Sequence, residues 1–177
     1  MAAIFHRWGG FAKLGLVTLL ALAVGCGGPE ERKAKYRIKA QEYMQTGNFP
    51  KARVALRNVL KIDPKDSEAY FLYAQVEEKE KNWRNAFAHY QRVVELHPDH
   101  ERALVKLGKF YLQGRLDDKA HETADQLLRL YPGHVSARAI KAALLAAEGK
   151  LNEATAAGEA LIKQFPTEPD AAILLAT

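Results

Sequence analysis

The chain has 177 residues, of which 48% are apolar and 27% charged, the ordinary balance of one soluble domain with a real core. Its formal net charge is +5, and Arg7 and Lys13 near the N-terminus account for two of these charges, so the rest carries only +3. That surplus is too small to predict a nucleic-acid-binding face, and the single cysteine, Cys26, excludes an intrachain disulfide.

The first 25 residues have the pattern of an export signal. Arg7 and Lys13 precede an uncharged, mostly apolar run of 12 residues over 14–25. A helix needs about 20 such residues to cross a bilayer, so the run is too short for a membrane span. A positive start, a short apolar stretch and a small residue at its end predict a secretory signal peptide over residues 1–25.

The segment 22–26, Leu-Ala-Val-Gly-Cys, resembles the lipobox of bacterial lipoproteins. Membership in that family implies that Cys26 receives a lipid, that the leader is cut before it, and that residues 26–32 form a tether. Gly25 fits the small residue required before the cysteine, whereas Ala23 departs from the more usual leucine. Gly27 is not the aspartate of the inner-membrane retention pattern, so the resemblance favours the outer membrane, facing the periplasm. The alternative is an ordinary export signal with an incidental cysteine.

Residues of two types recur every 34 positions through the rest of the chain. The prolines are Pro64, Pro98, Pro132 and Pro166, and the alanines are Ala52, Ala86, Ala120 and Ala154. With position 1 at residue 33, four units result: 33–66, 67–100, 101–134 and 135–168. This period is typical of a solenoid of helix-turn-helix units.

Each unit reads as helix A followed by helix B. Apolar residues at positions 4, 7, 8 and 11 form one helical stripe, and those at 20, 24 and 27 form another. Small residues at 8 and 20 allow close helix approach, and the proline at 32 ends helix B. Turns between A and B are expected at residues 47–48, 114–115 and 149–150, and caps of the next helix A at residues 66–67, Asp99 and Thr167.

These features resemble the tetratricopeptide repeat (TPR) family, over residues 33–168 and the start of a fifth unit at 169–177. The resemblance implies an all-α, right-handed superhelical solenoid. Residues that depart from the pattern, and are expected to weaken individual contacts, are Lys39, Glu77, Arg138, Lys141 and Gly158. Because the fifth unit stops with apolar residues uncovered, we expect the chain to be a fragment, or a truncated gene, of a longer array.

The TPR resemblance implies a groove lined by helices A, in which a protein or peptide partner binds. The candidate partner-binding residues are Arg37, Gln41, Phe71, Leu72, Gln75, Arg102, Lys106 and Lys109. The simplest expectation for the basic ones is that they are solvated. One alternative is a preference for acidic ligands. The other is the carboxylate clamp by which some TPR domains hold a peptide C-terminus, and the residues at the clamp positions of this chain are Arg37, Gln41, Leu72, Arg102 and Lys106. Similarly, Phe71 and Leu72 either pack against a neighbouring helix B, which we favour, or expose an apolar patch.

Motifs for catalysis are missing from the sequence. It has no phosphate-binding loop, no nucleophile elbow and no cysteine pair, and the proline in the segment 97–100, His-Pro-Asp-His, interrupts the helical face that a histidine pair needs to hold a metal. We therefore expect no enzyme activity, cofactor, metal, nucleic acid or small-molecule substrate.

The sequence thus predicts a lipid-anchored TPR adaptor in the envelope of a Gram-negative bacterium. Similar lipoproteins serve pilus assembly, outer-membrane protein assembly, hydrolase scaffolding, and exopolysaccharide or exosortase-linked (PEP-CTERM) export, and a long array fits the last group best. The alternative is a non-catalytic targeting arm of a larger envelope enzyme truncated after Thr177. A carbohydrate-binding protein would need aromatic platforms in the groove, where only Phe71 qualifies.

Overall fold

The computed structural model describes residues 28–169, which form eight α-helices and no strand. The helices are α1 (Pro29–Gln45), α2 (Phe49–Ile62), α3 (Ser67–Lys79), α4 (Trp83–Leu96), α5 (Glu101–Gln113), α6 (Asp117–Leu130), α7 (Val135–Ala147) and α8 (Leu151–Gln164). They follow one another as four antiparallel pairs, which confirms the predicted all-α TPR solenoid. The predicted signal peptide, Cys26 and most of the fifth unit lie outside the described residues. Within those residues, no helix combines the length and apolar character needed to cross a membrane.

Helix α1 begins earlier than the predicted unit. Residues 29–32 belong to the helix and not to a flexible tether, so this part of the prediction is wrong. Pro29 at the first helical turn has the backbone angle that a helix start requires. Glu30 and Glu31 place negative charge in the first turn, where the helix dipole favours it.

Small residues lie where helices approach one another most closely. At position 8, Ala40, Ala74 and Ala142 are at most 2% exposed, and Gly108 is buried as well. A Cβ atom on Gly108 would lie only 2.6 Å from Cδ1 of Ile140 in the next unit. Glycine at position 8 of the third unit therefore makes room for the isoleucine at position 6 of the fourth.

The turn from helix A to helix B uses a left-handed backbone at position 15 in every unit. Gly47 has φ of 70° and Gly149 of 81°, but Lys81 and Arg115 hold the same conformation with φ of 62° and 55°. The turn predicted at residues 114–115 is where the structure has it, but its left-handed residue is Arg115, since Gly114 has φ of −81° and ends α5. Unit two makes the turn with no glycine at all.

Position 34 caps the N-terminus of the following helix A. Asp66 Oδ1 accepts the backbone N–H of Ala69 at 2.9 Å, which caps α3. His100 Nδ1 caps α5 in the same way, accepting the N–H of Ala103 at 3.2 Å. The predicted cap Asp99 is therefore wrong, because α5 starts one residue later than an aspartate cap would require.

Two of the residues that depart from the TPR pattern, Glu77 and Lys141, form ion pairs between units. Glu77 is only 3% exposed and accepts from Arg53 Nε of the preceding unit at 2.6 Å. Lys141 Nζ donates to Asp125 Oδ1 of the preceding unit at 2.8 Å. Burial opposes the charged form of Glu77, but hydrogen bonds from Arg53 and Asn82 outweigh it, so the pKa of Glu77 is lowered.

Candidate partner-binding groove

An open groove of about 560 Å³ runs along the helix-A side of units two to four. Its lining consists of residues from α3, α5 and α7, from the turn before α7 and from the segment after α8: Phe71, Gln75, Glu101, Arg102, Val105, Lys106, Gly133, His134, Val135, Ser136 and Glu168. We call this the helix-A groove. Four of the eight predicted binding residues, Phe71, Gln75, Arg102 and Lys106, lie in this lining, whereas Arg37, Gln41, Leu72 and Lys109 do not.

The floor of the helix-A groove at α3 is a buried aromatic ring. Phe71 is 1% exposed and packs edge-on against Tyr90, with ring centroids 5.5 Å apart. The guanidinium of Arg102 covers the ring at 4.3 Å from its centroid, a cation–π contact. Leu72 is 6% exposed and packs with Leu56 in the core between units one and two. The exposed apolar patch considered for Phe71 and Leu72 is therefore absent.

The two basic residues of α5 that line the groove are paired with acidic residues of unit two. Arg102 donates to both carboxylate oxygens of Glu68, at 3.1 and 3.3 Å. Lys106 donates to both oxygens of Glu78, at 2.9 and 3.0 Å. The groove is thus close to neutral at this point, although the residues of α5 by themselves are basic.

Glu78 also ties this ion pair to the core. The hydroxyl of Tyr90 donates to Glu78 Oε2 at 2.6 Å. Burial and this hydrogen bond together raise the pKa of Tyr90, so that the phenol keeps its proton and remains a donor. Because one oxygen of Glu78 is held by a buried group, the carboxylate that receives Lys106 is fixed in position.

The wall of the groove at α7 contains His134, whose two ring nitrogens have different hydrogen-bond partners. His134 Nδ1 accepts the backbone N–H of Ala137 at 3.3 Å and so caps α7. The proton of the neutral ring therefore lies on Nε2, which donates to Glu101 Oε1 at 3.0 Å. Beside this pair, Val105, Val135 and Ser136 give the groove a mixed apolar and polar surface.

The carboxylate clamp does not assemble. Of its five residues only Arg102 and Lys106 line the groove, and both have carboxylate partners. Arg37 forms an ion pair with the N-cap Asp66, and Leu72 is buried. Gln41 is exposed away from the groove.

The histidines of the turn at residues 97–100 do not form a metal site. His97 Nδ1 lies 3.2 Å from Asp99 Oδ1, and the rings of His97 and His100 are 5.9 Å apart. His100 is engaged as a helix cap, and burial lowers its pKa. Residues 28–169 contain no group of three or more histidine, cysteine or acidic side chains placed to hold a metal ion.

Sequence analysis missed several residues that build this site. It singled out the cations of the groove but not the acids that pair with them, Glu68, Glu78 and Glu101. It also did not single out His134. A signal existed, since His100 and His134 follow Asp66 at steps of 34 residues and share its role as N-cap.

Comparison with known proteins agrees with this architecture. Two tetratricopeptide repeat family models match the chain, one over residues 39–101 and the other over residues 78–144. The repeat, the eight helices and these matches define the class, a solenoid that serves protein–protein interaction. The chain belongs to the tetratricopeptide repeat family.

Individual relatives are distant. Human protein O-mannosyl-transferase TMTC3 is 28% identical over 108 residues, which is 61% of this chain but only 12% of that protein. The structure of PilF from Pseudomonas aeruginosa has a TM-score of 0.66 at 23% identity, covering 85% of this chain and 68% of that one. YrrB, described as a TPR protein with an unusual peptide-binding site, has a TM-score of 0.64 at 20% identity, covering 77% and 70% of the two chains. At these identities the structural likeness concerns the fold.

Proposed function

We propose that this TPR protein is a lipid-anchored, non-catalytic adaptor of the bacterial cell envelope, which binds an extended segment of a partner protein in the helix-A groove and supports assembly or export of an envelope component. The observation that carries the binding role is the groove itself, where Phe71 and Val105 lie between paired charges. An extended segment with both acidic and basic residues can exchange hydrogen bonds with the pairs Arg102–Glu68 and Lys106–Glu78. The peptide-binding site named for YrrB supports the same use of the fold.

Site-specific photo-crosslinking in cells tests the groove. A photoreactive amino acid replaces the half-buried Gln75 in the groove, and a matched variant carries it at the exposed Lys163 on α8. We expect a discrete protein adduct from position 75 that is absent from position 163. Adding Arg102→Glu and Lys106→Glu should abolish the adduct, because both ion pairs become repulsive. Identical adducts from both positions, or an adduct unaffected by the two charge reversals, contradict the proposal.

The membrane part of the proposal is supported by the leader and by the lipobox-like segment ending at Cys26. Several acyl chains on one residue give stable anchoring where a single chain is marginal. Mass spectrometry of the mature N-terminus should find an acylated Cys26, and Cys26→Ser should release the protein from membranes. A free thiol at Cys26 in the mature protein refutes lipidation and leaves the groove unaffected.

One observation favours a second candidate function. The curated relative is a transferase of which the matching segment makes up only 12%, so a TPR array of this kind can be one part of a larger enzyme. The alternative function is therefore a targeting arm joined to a catalytic domain beyond Thr177. Reading the gene downstream separates the two, since further 34-residue units favour the adaptor and a different composition favours the enzyme.

A further inference from the structure

A second groove, of about 240 Å³, lies at the N-terminal end of the solenoid, away from the helix-A groove. It is formed between α1 and α2 by Tyr36, Lys39 and Tyr43 on the first helix and by Lys51 and Val54 on the second. We call it the end groove. Val54 is 51% exposed, and Ile38 beside the groove on α1 is 56% exposed. Ile38 and Lys39 occupy positions 6 and 7, which in unit four contact unit three, whereas the residues equivalent to Val54 at position 22 are exposed in every later unit.

The sequence repeats the same tripeptide at this face and inside the solenoid. Ile-Lys-Ala occupies positions 6 to 8 of unit one as residues 38–40, and of unit four as residues 140–142. In unit four the tripeptide is covered by unit three, and Ile140 is 2% exposed. In unit one the alanine is buried but the isoleucine and the lysine are exposed. Unit one therefore carries the residues of an internal joint without a described neighbour to cover them.

The covered copy shows what kind of neighbour fits. Lys141 donates to Asp125 on α6, the helix B that packs on unit four, and this bond lowers the pKa of Asp125. Ile140 lies close to the small Thr123 on the same helix and to Gly108. A helix that covers Ile38 and Lys39 in the same way needs a small residue for the isoleucine and, two residues later, a carboxylate for the lysine.

The charges at the end groove point to the same partner. Lys39 and Lys51 have no carboxylate partner among residues 28–169, and Lys51 is placed over the ring of Tyr43 at 5.7 Å. Residues 1–27 contain no aspartate or glutamate, so the N-terminal segment of this chain cannot supply the missing charge.

We infer that the end groove binds an amphipathic helix of a partner protein, one that presents a carboxylate to Lys39 as Asp125 is presented to Lys141. The end groove is then a second interaction surface, independent of the helix-A groove. Burying Ile38 supplies the apolar contact, and the charge-assisted hydrogen bond to Lys39 sets the register of the helix.

The chain's own α6 provides a probe with the required features. A helix-stapled, fluorescein-labelled peptide of residues 117–130 is titrated with the full chain in detergent, and binding is followed by fluorescence anisotropy. We expect saturable binding that Lys39→Glu weakens by about tenfold or more, equivalent to about 1.4 kcal/mol. The peptide carrying Asp125→Lys should bind the Lys39→Glu chain better than it binds the unmodified chain.

The controls make each outcome decisive. Lys163→Glu makes the same charge change at the far end of the solenoid and should leave binding unchanged. The double change Arg102→Glu and Lys106→Glu should also leave peptide binding unchanged, because both residues lie in the helix-A groove and not in the end groove. No saturable binding, or equal effects of Lys39→Glu and Lys163→Glu, overturns the inference. Two further results overturn the inference if the peptide does not bind. One is self-association of the chain, measured by sedimentation, that Lys39→Glu abolishes. The other is binding to phosphatidylglycerol vesicles that Lys39→Glu abolishes.

Discussion

Arg53 on α2 donates to Glu77 on α3 across the joint between units one and two, with 2.6 Å from Nε to Oε1. Glu77 lies at position 11, where Tyr43 stands in unit one and Tyr111 in unit three. Its second oxygen accepts from Asn82 at 2.9 Å, so the buried carboxylate has partners on both sides. A charge has replaced an aromatic ring at this position, and the joint depends on its pairing.

Removing the charge of Glu77 should therefore destabilise the fold. We expect Glu77→Gln to lower the free energy of unfolding by about 3 kcal/mol, because the half-buried guanidinium of Arg53 loses its main partner. The matched control is Glu80→Gln, which removes a more exposed carboxylate that contacts the same arginine and should cost less than about 1 kcal/mol. Urea denaturation followed by circular dichroism measures both, and equal losses contradict the assignment.

The same carboxylate predicts a dependence on acid. The pKa of Glu77 is lowered in the fold from an ordinary value of 4.5, so its contribution to stability is complete above that pH and is lost as the pH falls through the folded value. Between pH 7 and pH 3, unmodified protein should lose more stability than Glu77→Gln. Urea midpoints of the two proteins should converge toward the acid end. A constant difference across this range argues against the prediction.

Gly108 and Ile140 should be energetically coupled. Alanine at 108 gains about 1 kcal/mol in helix propensity but overpacks against Cδ1 of Ile140, at a cost of about 1–3 kcal/mol. We expect Gly108→Ala alone to be neutral or destabilising. In the Ile140→Val background, which lacks Cδ1, the same change should stabilise. A double-mutant cycle measured by thermal unfolding gives the coupling, and additivity of the two changes would show that the close approach is relieved in another way.

The left-handed turn residues offer a stabilising change. Lys81 holds φ of 62°, a conformation that costs a residue with a Cβ about 1–2 kcal/mol. Lys81→Gly should raise the free energy of unfolding by up to about 1 kcal/mol, after the greater freedom of glycine in the unfolded chain is counted. Gly47→Ala is the converse change at the same position of unit one and should destabilise by a similar amount. Melting temperatures that shift in one direction for both variants would disprove this account.

His100 predicts a separate change in mildly acidic solution. Burial lowers its pKa from an ordinary 6.5, and the nearby charge of Arg102 adds to this effect. Stability supplied by the neutral ring is therefore complete above about pH 6.5 and is lost as the pH falls through the lower folded value. His100→Asn keeps an N-cap but does not titrate. The melting temperature of unmodified protein should fall more than that of His100→Asn between pH 7.5 and pH 5, and parallel curves would exclude His100 as the cause.

The period in the sequence was enough to predict the helix pairs, because proline and alanine recur at fixed positions. The left-handed turn residues were harder to predict from the sequence, since Lys81 and Arg115 adopt a conformation that is normally taken by glycine. The pairing in the helix-A groove was contained in the period, because Glu68 and Arg102 both occupy position 2 of consecutive units. It emerges only when neighbouring units are compared position by position, whereas the contact of Arg102 with Phe71 requires the relative tilt of α3 and α5.

The early start of α1 has a consequence for how the protein would sit in the envelope. Three Cα steps separate Cys26 from Pro29, which limits the reach between them to about 11 Å. With the proposed acylation, the first helical turn is held at the level of the lipid headgroups, and the rod can pivot but cannot drift outward. Its search for partners is then confined to a thin layer at the membrane surface. Confinement to that layer raises the local concentration of membrane-bound partners, which favours even weak docking in either groove.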